Sequence, residues 1–212
     1  SSYIDGTNNV KISTGAVPTF SNYGTLALSN DSNWVAVSFF GSSDLFIRVQ
    51  VDGTQPYVES FDVNFFEFTP DSRYIVYTSS SSGLFVANPE GTQIINVFNP
   101  GISSPIQIGP DSKSIYFRFT VGGEVGLYSI DINGKNFRKI NTTTQPSDIF
   151  WTILADPAVI LYISDDNGTG NYFLHIASTD GKYDVQVPGE RFAFTFGLFD
   201  SIPPNLIFTI SP

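Results

Sequence analysis

Three groups of residues in this chain could do chemistry. His175 is the sole histidine, set in Tyr172-Phe173-Leu174-His175-Ile176. A nucleophilic triad needs an imidazole beside an exposed nucleophile. The chain has no cysteine and no Gly-x-Ser-x-Gly turn, so His175 reads as a structural residue of an apolar strand. Asp165-Asp166-Asn167-Gly168-Thr169-Gly170-Asn171 sets oxygen donors ahead of glycine, as a calcium loop does. The closing bidentate glutamate is missing, because Ile176 holds its place. The segment reads as a turn. Asp165, Asn167 and Thr169 are its candidate ligands, and neither a metal nor another cofactor is expected. Asp62, Asp148 and Asp200 each precede the same kind of predicted strand. Carboxylates converging on one opening are what a glycoside hydrolase needs. Here the match is one of position alone, so no catalytic residue is assigned and no enzyme is expected.

Two further sets concern attachment and stacking. The sequons are Asn30-Asp31-Ser32, Asn141-Thr142-Thr143 and Asn167-Gly168-Thr169. Their number is what chance supplies in a chain this rich in Asn, Ser and Thr. All three fall on predicted turns, with Asn141 and Asn167 the better candidates and Asn30 the third. The run Thr142-Thr143-Thr144 offers hydroxyls for O-linked sugar. Trp34 and Trp151 could stack on sugars, but both stand at strand starts and read as core.

These residues are positioned by a repeat. Asp31-Ser32-Asn33-Trp34-Val35-Ala36-Val37 returns 40 residues on as Asp71-Ser72-Arg73-Tyr74-Ile75-Val76-Tyr77, and again as Asp111-Ser112-Lys113-Ser114-Ile115-Tyr116-Phe117. A blurred copy follows at Asp156-Pro157-Ala158-Val159-Ile160-Leu161-Tyr162, and a trace at Pro203-Pro204-Asn205-Leu206-Ile207-Phe208. A second marker keeps time with it: Asp5-Gly6, Asp52-Gly53, Glu90-Gly91, Asn133-Gly134 and Asp180-Gly181. Each is a tight turn, since glycine accepts positive φ without steric cost.

Short strands at this period predict an all-β fold, a β-propeller with one four-stranded blade per repeat. First strands are expected at 25–28, 65–68, 105–108, 150–154 and 193–198, and second strands at 34–39, 74–78, 114–119, 159–164 and 206–210. Third strands are expected at 45–51, 84–88, 126–131 and 172–178, and fourth strands at 10–13, 57–60, 94–97, 137–140 and 183–187. No sustained 3.6-residue period predicts a helix. Residues 1–14 supply the end of a blade and 193–212 its beginning. The expectation is therefore one domain over 1–212, five blades closed by this shared one, the others near 15–60, 61–98, 99–141 and 142–192. A longer propeller cut at both ends is the alternative.

Thr69-Pro70-Asp71-Ser72-Arg73-Tyr74-Ile75-Val76-Tyr77-Thr78, running to Leu84-Phe85-Val86 and Glu90-Gly91, resembles the TolB-type propeller repeat. So does Gly109-Pro110-Asp111-Ser112-Lys113-Ser114-Ile115-Tyr116-Phe117, running to Leu127-Tyr128-Ser129-Ile130-Asp131 and Asn133-Gly134. The likeness spans nearly the whole chain at blade level. It implies the fold; the family's roles are too varied to imply an activity. The chain departs from the pattern in its serine after the marker aspartate, where the repeat usually has glycine, in its degraded fourth repeat, and in five expected blades against six in TolB.

Composition then bounds function. Charged residues make up 14% of the chain, against the roughly 25% usual for soluble domains, leaving a polar but sparsely charged surface. The net charge of −10, with only ten scattered basic residues, provides no stripe to displace phosphate counterions. Lys135, Arg138 and Lys139 alone cluster. Nucleic acid and anionic membrane surfaces are thus excluded as partners. No stretch approaches 18 apolar residues, so no helical membrane insertion is expected. The chain begins at Ser1 and holds no Met, which reads equally as a matured or a trimmed chain.

The expectation is a non-catalytic extracellular structural or interaction propeller with protein partners. It is read as a self-associating subunit of a filament-like homopolymer, carrying covalent glycans if its sequons are used. A periplasmic setting is the alternative location. A glycan-binding lectin and a glycoside hydrolase are the alternative functions.

Overall fold

The computed structural model describes residues 22–40, 45–55, 57–60, 62–142, 149–154, 159–165 and 171–192. Within them every regular element is a strand, and no helix occurs. Four antiparallel meanders follow one another along the chain. The first joins β1 (Asn22–Leu28), β2 (Trp34–Phe40), β3 (Leu45–Gln50) and β4 (Tyr57–Ser60). The second joins β5 (Phe66–Phe68), β6 (Ile75–Ser79), β7 (Gly83–Ala87) and β8 (Ile94–Phe98). The third joins β9 (Ile106–Ile108), β10 (Ser114–Val121), β11 (Glu124–Asp131) and β12 (Arg138–Lys139). The fourth joins β13 (Ile149–Leu154), β14 (Val159–Ser164), β15 (Tyr172–Ser178) and β16 (Asp184–Phe192). Each sheet keeps its strands in chain order. The expected shared blade falls on residues 1–14 and 193–212, which lie outside the described residues.

Among the described residues both sequence markers are turns built alike from repeat to repeat. In the first, Ser29, Thr69 and Gly109 donate N–H to the carbonyls of Trp34, Tyr74 and Ser114. Ser32, Ser72 and Ser112 sit inside these turns at φ of 59°, 61° and 57°. In the second, Gly53, Gly91, Gly134 and Gly181 take φ of 83°, 75°, 78° and 71°.

The chain divides into two compact units, 1–117 with 129–137 and 118–128 with 138–212. In the first, β1 lies against β5 and β5 against β9. Its core joins Trp34, Phe46, Phe66, Phe68, Ile75 and Tyr77, with the Phe46 ring 4.9 Å from Phe66 and 5.2 Å from Tyr77. β6 is buried at every position, as a strand covered on both faces must be. In the second unit, Ile163, Tyr172 and Leu174 form a core cluster with Val187 against it.

Several strands depart from expectation: β1 begins three residues earlier than 25, β10 ends two later than 119 and β11 begins two earlier than 126. β12 is one residue shorter at each end than the predicted 137–140, and the Phe137 ring lies 5.0 Å from Phe98. β16 runs past the predicted end at 187. A register shift lets it continue, so that Tyr172 pairs with Phe192 and Phe173 with Arg191.

Candidate functional site

The chemistry-bearing side chains that can be placed are engaged in holding repeats together. The marker turns show this first. The Asp31 N–H donates to Ser72 Oγ at 3.0 Å, and the Asp71 N–H to Ser112 Oγ at 3.0 Å. The same offset recurs elsewhere. Ile108 N–H donates to Glu67 Oε2 at 3.1 Å, Arg48 to the Asn88 carbonyl at 3.0 Å, and Arg138 to the Thr179 carbonyl at 3.3 Å. Each of these bonds spans 40 or 41 residues, one repeat. That is nearest-neighbour bonding in a repeat array.

His175 belongs to the most polar of the buried clusters. On β15 it pairs with Tyr162 of β14, and their rings stack with centroids 4.6 Å apart. Its Nδ1 stands 3.6 Å from Asp184 Oδ1, and the two side chains are 5% and 1% exposed. The other carboxylate oxygen accepts from the Tyr162 hydroxyl at 2.6 Å, the Thr142 N–H at 2.7 Å and the Thr142 hydroxyl at 2.9 Å. Burial alone would raise the Asp184 pKa. The nearby His175 imidazole and the hydrogen bonds from Thr142 and Tyr162 outweigh it and hold the carboxyl down at about 2. The cluster is thus a carboxylate kept ionised to tie the Thr142 segment to β14 and β16.

Glu67 shows the opposite balance. It lies mid-strand in β5, and burial pushes its carboxyl up to about 7 despite the bond from Ile108. Arg48 is fully buried, with its guanidinium carbon 4.5 Å from the centre of the Tyr57 ring and 5.6 Å from that of Phe46. Sequence reasoning missed Asp184, Glu67 and Arg48 as buried groups. For Arg48 and Glu67 a signal exists: a lone charge inside an apolar strand, as in Leu45-Phe46-Ile47-Arg48-Val49 and Phe65-Phe66-Glu67-Phe68.

Asp62 accepts from Ser80 Oγ at 2.5 Å, while Asp148 and Asp200 lie outside the described residues. Asp165 is 3% exposed, and Asn167 and Thr169 lie outside the described residues. Among the described residues no three acidic or histidine side chains gather as a metal site would require.

Of the three sequons, Asn141 and Asn30 fall within the described residues and Asn167 lies outside them. Asn141 is buried, with its Oδ1 accepting from the Leu127 N–H at 2.8 Å. A side chain closed in this way has no room for a sugar in the folded state. Asn30 is exposed, and its amide donates to the Pro70 carbonyl at 3.0 Å. Thr142, the described member of the threonine run, has its hydroxyl committed to Asp184. Trp34 is buried in the core and Trp151 half-buried.

The surface carries large apolar side chains on fourth strands. Val58 on β4, Ile94 and Ile95 on β8, and Val185 on β16 are all exposed, with Tyr183 just ahead of β16.

No protein-family model and no curated protein matches the sequence. Solved structures do match in fold. TolB from Acinetobacter baumannii is 17% identical, with a TM-score of 0.55, over 90% of this chain and 59% of that one. The β-propeller domain of the Trilobed protease from Pyrococcus furiosus is 10% identical, with a TM-score of 0.62, over 84% and 59%. The nidogen/laminin complex gives 18% identity and a TM-score of 0.52, over 72% and 59%. The chain spans about three-fifths of the length of each of these matched chains. The four meanders, in chain order and with repeated turns, are thus similar blade by blade to TolB and other β-propellers, and the likeness is one of fold.

Proposed function

We propose that this chain is a non-catalytic interaction module that associates with copies of itself, as the subunit of a homopolymeric, filament-like assembly outside the cytoplasm. The observation that carries the reading is the pair of neighbouring exposed apolar side chains on β8, Ile94 and Ile95. Apolar side chains left exposed to water gain by being covered in contact with another protein. Its counterpart inside is that His175, Asp184, Glu67 and Arg48 are spent on bonds within the fold. The low content of charge leaves stretches of surface, residues 91–110 among them, where copies can meet without like charges opposed. An extracellular setting, or a periplasmic one, suits a polar surface with so few charges. Asn30 and Asn167 are the sequons that could carry a glycan there.

Sedimentation velocity across a wide concentration range tests the reading, together with electron microscopy and intact mass of the native material. Polymers or oligomers growing with concentration support it. A monodisperse monomer of 23.2 kDa at the highest concentration removes it. A mass above that value on the same chain would mark an attached group such as a glycan.

A further inference from the structure

Edge strands invite pairing with other chains, and proteins blunt them with charge, proline, shortness or cover. Three of the four described fourth strands are blunted. β4 carries Glu59. β12 has only two residues, both basic. β16 carries Asp184, Pro188, Glu190 and Arg191. β8 reads Ile94-Ile95-Asn96-Val97-Phe98, with no charge and no proline. It ends its sheet, and among the described residues the backbone of residues 94–97 makes no hydrogen bond beyond that sheet; the Gly134 turn packs against Val97, which leaves the edge open at Ile94–Asn96. A register shift lies toward the Phe98 end of the strand, which leaves Ile94–Asn96 as the regular part. Ile94 is 41% exposed and Ile95 55%.

The surrounding sequence is equally bare. Residues 91–110 contain no acidic, basic or histidine side chain. In a chain of net charge −10 this matters for what can approach. Two copies repel wherever their acidic surfaces meet, and least where neither carries charge. The same edge on two copies is self-complementary, so a two-fold contact sets β-branched isoleucines against one another across the new ladder.

We propose that the free edge of β8 pairs antiparallel, over Ile94–Asn96, with the β8 edge of a second copy of this chain. The proposal rests on the self-association reading above and names its surface.

The experiment compares the wild type with Ile95→Lys on β8 and Val58→Lys on the already acidic β4, by sedimentation velocity, with circular dichroism confirming the fold of each. Lysines brought face to face across a two-fold ladder are destabilising. Ile95→Lys is expected to weaken self-association by about tenfold or more, and Val58→Lys by less than about twofold. A second variant guards against misfolding. The chain has no cysteine, so Ile95→Cys offers one unique thiol. Cross-strand neighbours stand about 5–8 Å apart, and a short bismaleimide is expected to link two Ile95→Cys chains and not two Val58→Cys chains.

A wild type that is monomeric throughout overturns this proposal and the broader reading together. A wild type that associates while the Ile95 and Val58 variants behave alike overturns the β8 pairing alone. A cross-link from residue 95 to a segment outside 91–100 places a different occupant on the edge and also overturns it.

Discussion

Serine holds the position after the marker aspartate because two opposed effects are nearly equal there. Ser72 stands at φ 61°, where a non-glycine residue costs about 1 kcal/mol. Its hydroxyl accepts the Asp31 N–H of the previous repeat, a bond contributing about 1 kcal/mol net. Glycine would relieve the first and lose the second. Alanine would keep the strain and lose the bond. In chemical denaturation Ser72→Ala should therefore cost about 1 kcal/mol, and Ser72→Gly less than half of that.

The buried carboxylates predict two pH windows of opposite sign. Glu67 titrates at about 7 in the fold, against 4.5 ordinarily. Between these values the folded state holds a proton that the unfolded state has released, so its contribution falls as pH rises from 4.5 to 7. Asp184 titrates at about 2, against 3.8 ordinarily, so its contribution is present above 3.8 and lost as pH falls toward 2. Glu67→Gln keeps an oxygen to accept the Ile108 N–H and removes the buried charge. It should stabilise the protein at pH 8 by on the order of 1–3 kcal/mol and flatten the stability profile between pH 5 and 7. Melting curves across pH for both proteins check this. A profile unchanged by the substitution would show that Glu67 is solvated in the fold.

At the scale of elements, the glycines of the second turn do more than permit a turn. A Cβ on Gly91 would stand 2.5 Å from the ring of Tyr57, so the turn of the second sheet packs directly on β4. Gly123, in the turn between β10 and β11, has φ 89° but nothing within 4 Å of such a Cβ. Gly123→Ala should cost about 1 kcal/mol, from backbone strain alone. Gly91→Ala adds an overlap with a half-buried ring and should cost about 2 kcal/mol or more. Equal costs in denaturation would mean that Tyr57 moves aside freely.

Element boundaries were legible where the pattern is local. The expected 159–164 and 172–178 are the observed β14 and β15 to the residue, because each is an apolar run between turn residues. β16 was not. Pro188-Gly189 reads as a strand end, yet the register shift carries the strand past it to pair Phe192 with Tyr172. The available partner strand, which local sequence does not display, decided that length.

At the scale of the molecule, charge and edge act against each other. A chain at −10 repels its copies, and added salt screens that repulsion within about 10 Å at 0.1 M. Contact through an uncharged strand has no salt-sensitive attraction to lose. Self-association should therefore tighten between about 20 mM and 300 mM sodium chloride. Sedimentation across that range checks it, and weakening with salt would point instead to an interface of paired charges.

The amino-acid sequence by itself determined the repeat, the all-β class, both turn types and most strands. Strand period and turn chemistry are carried by residues adjacent in the chain. Only the tertiary structure decided which side chains meet across repeats. His175 was correctly read as a strand residue, but its partner Asp184 is set by the register of β15 on β16. Asn141 looked like an open turn residue until the Leu127 N–H was found against its amide oxygen. The marker serines looked like a departure from the glycine pattern until Ser72 and Ser112 proved to hold the turn one repeat before them. Partners 40 residues apart leave no local pattern, because packing between sheets selects them and not the course of the chain.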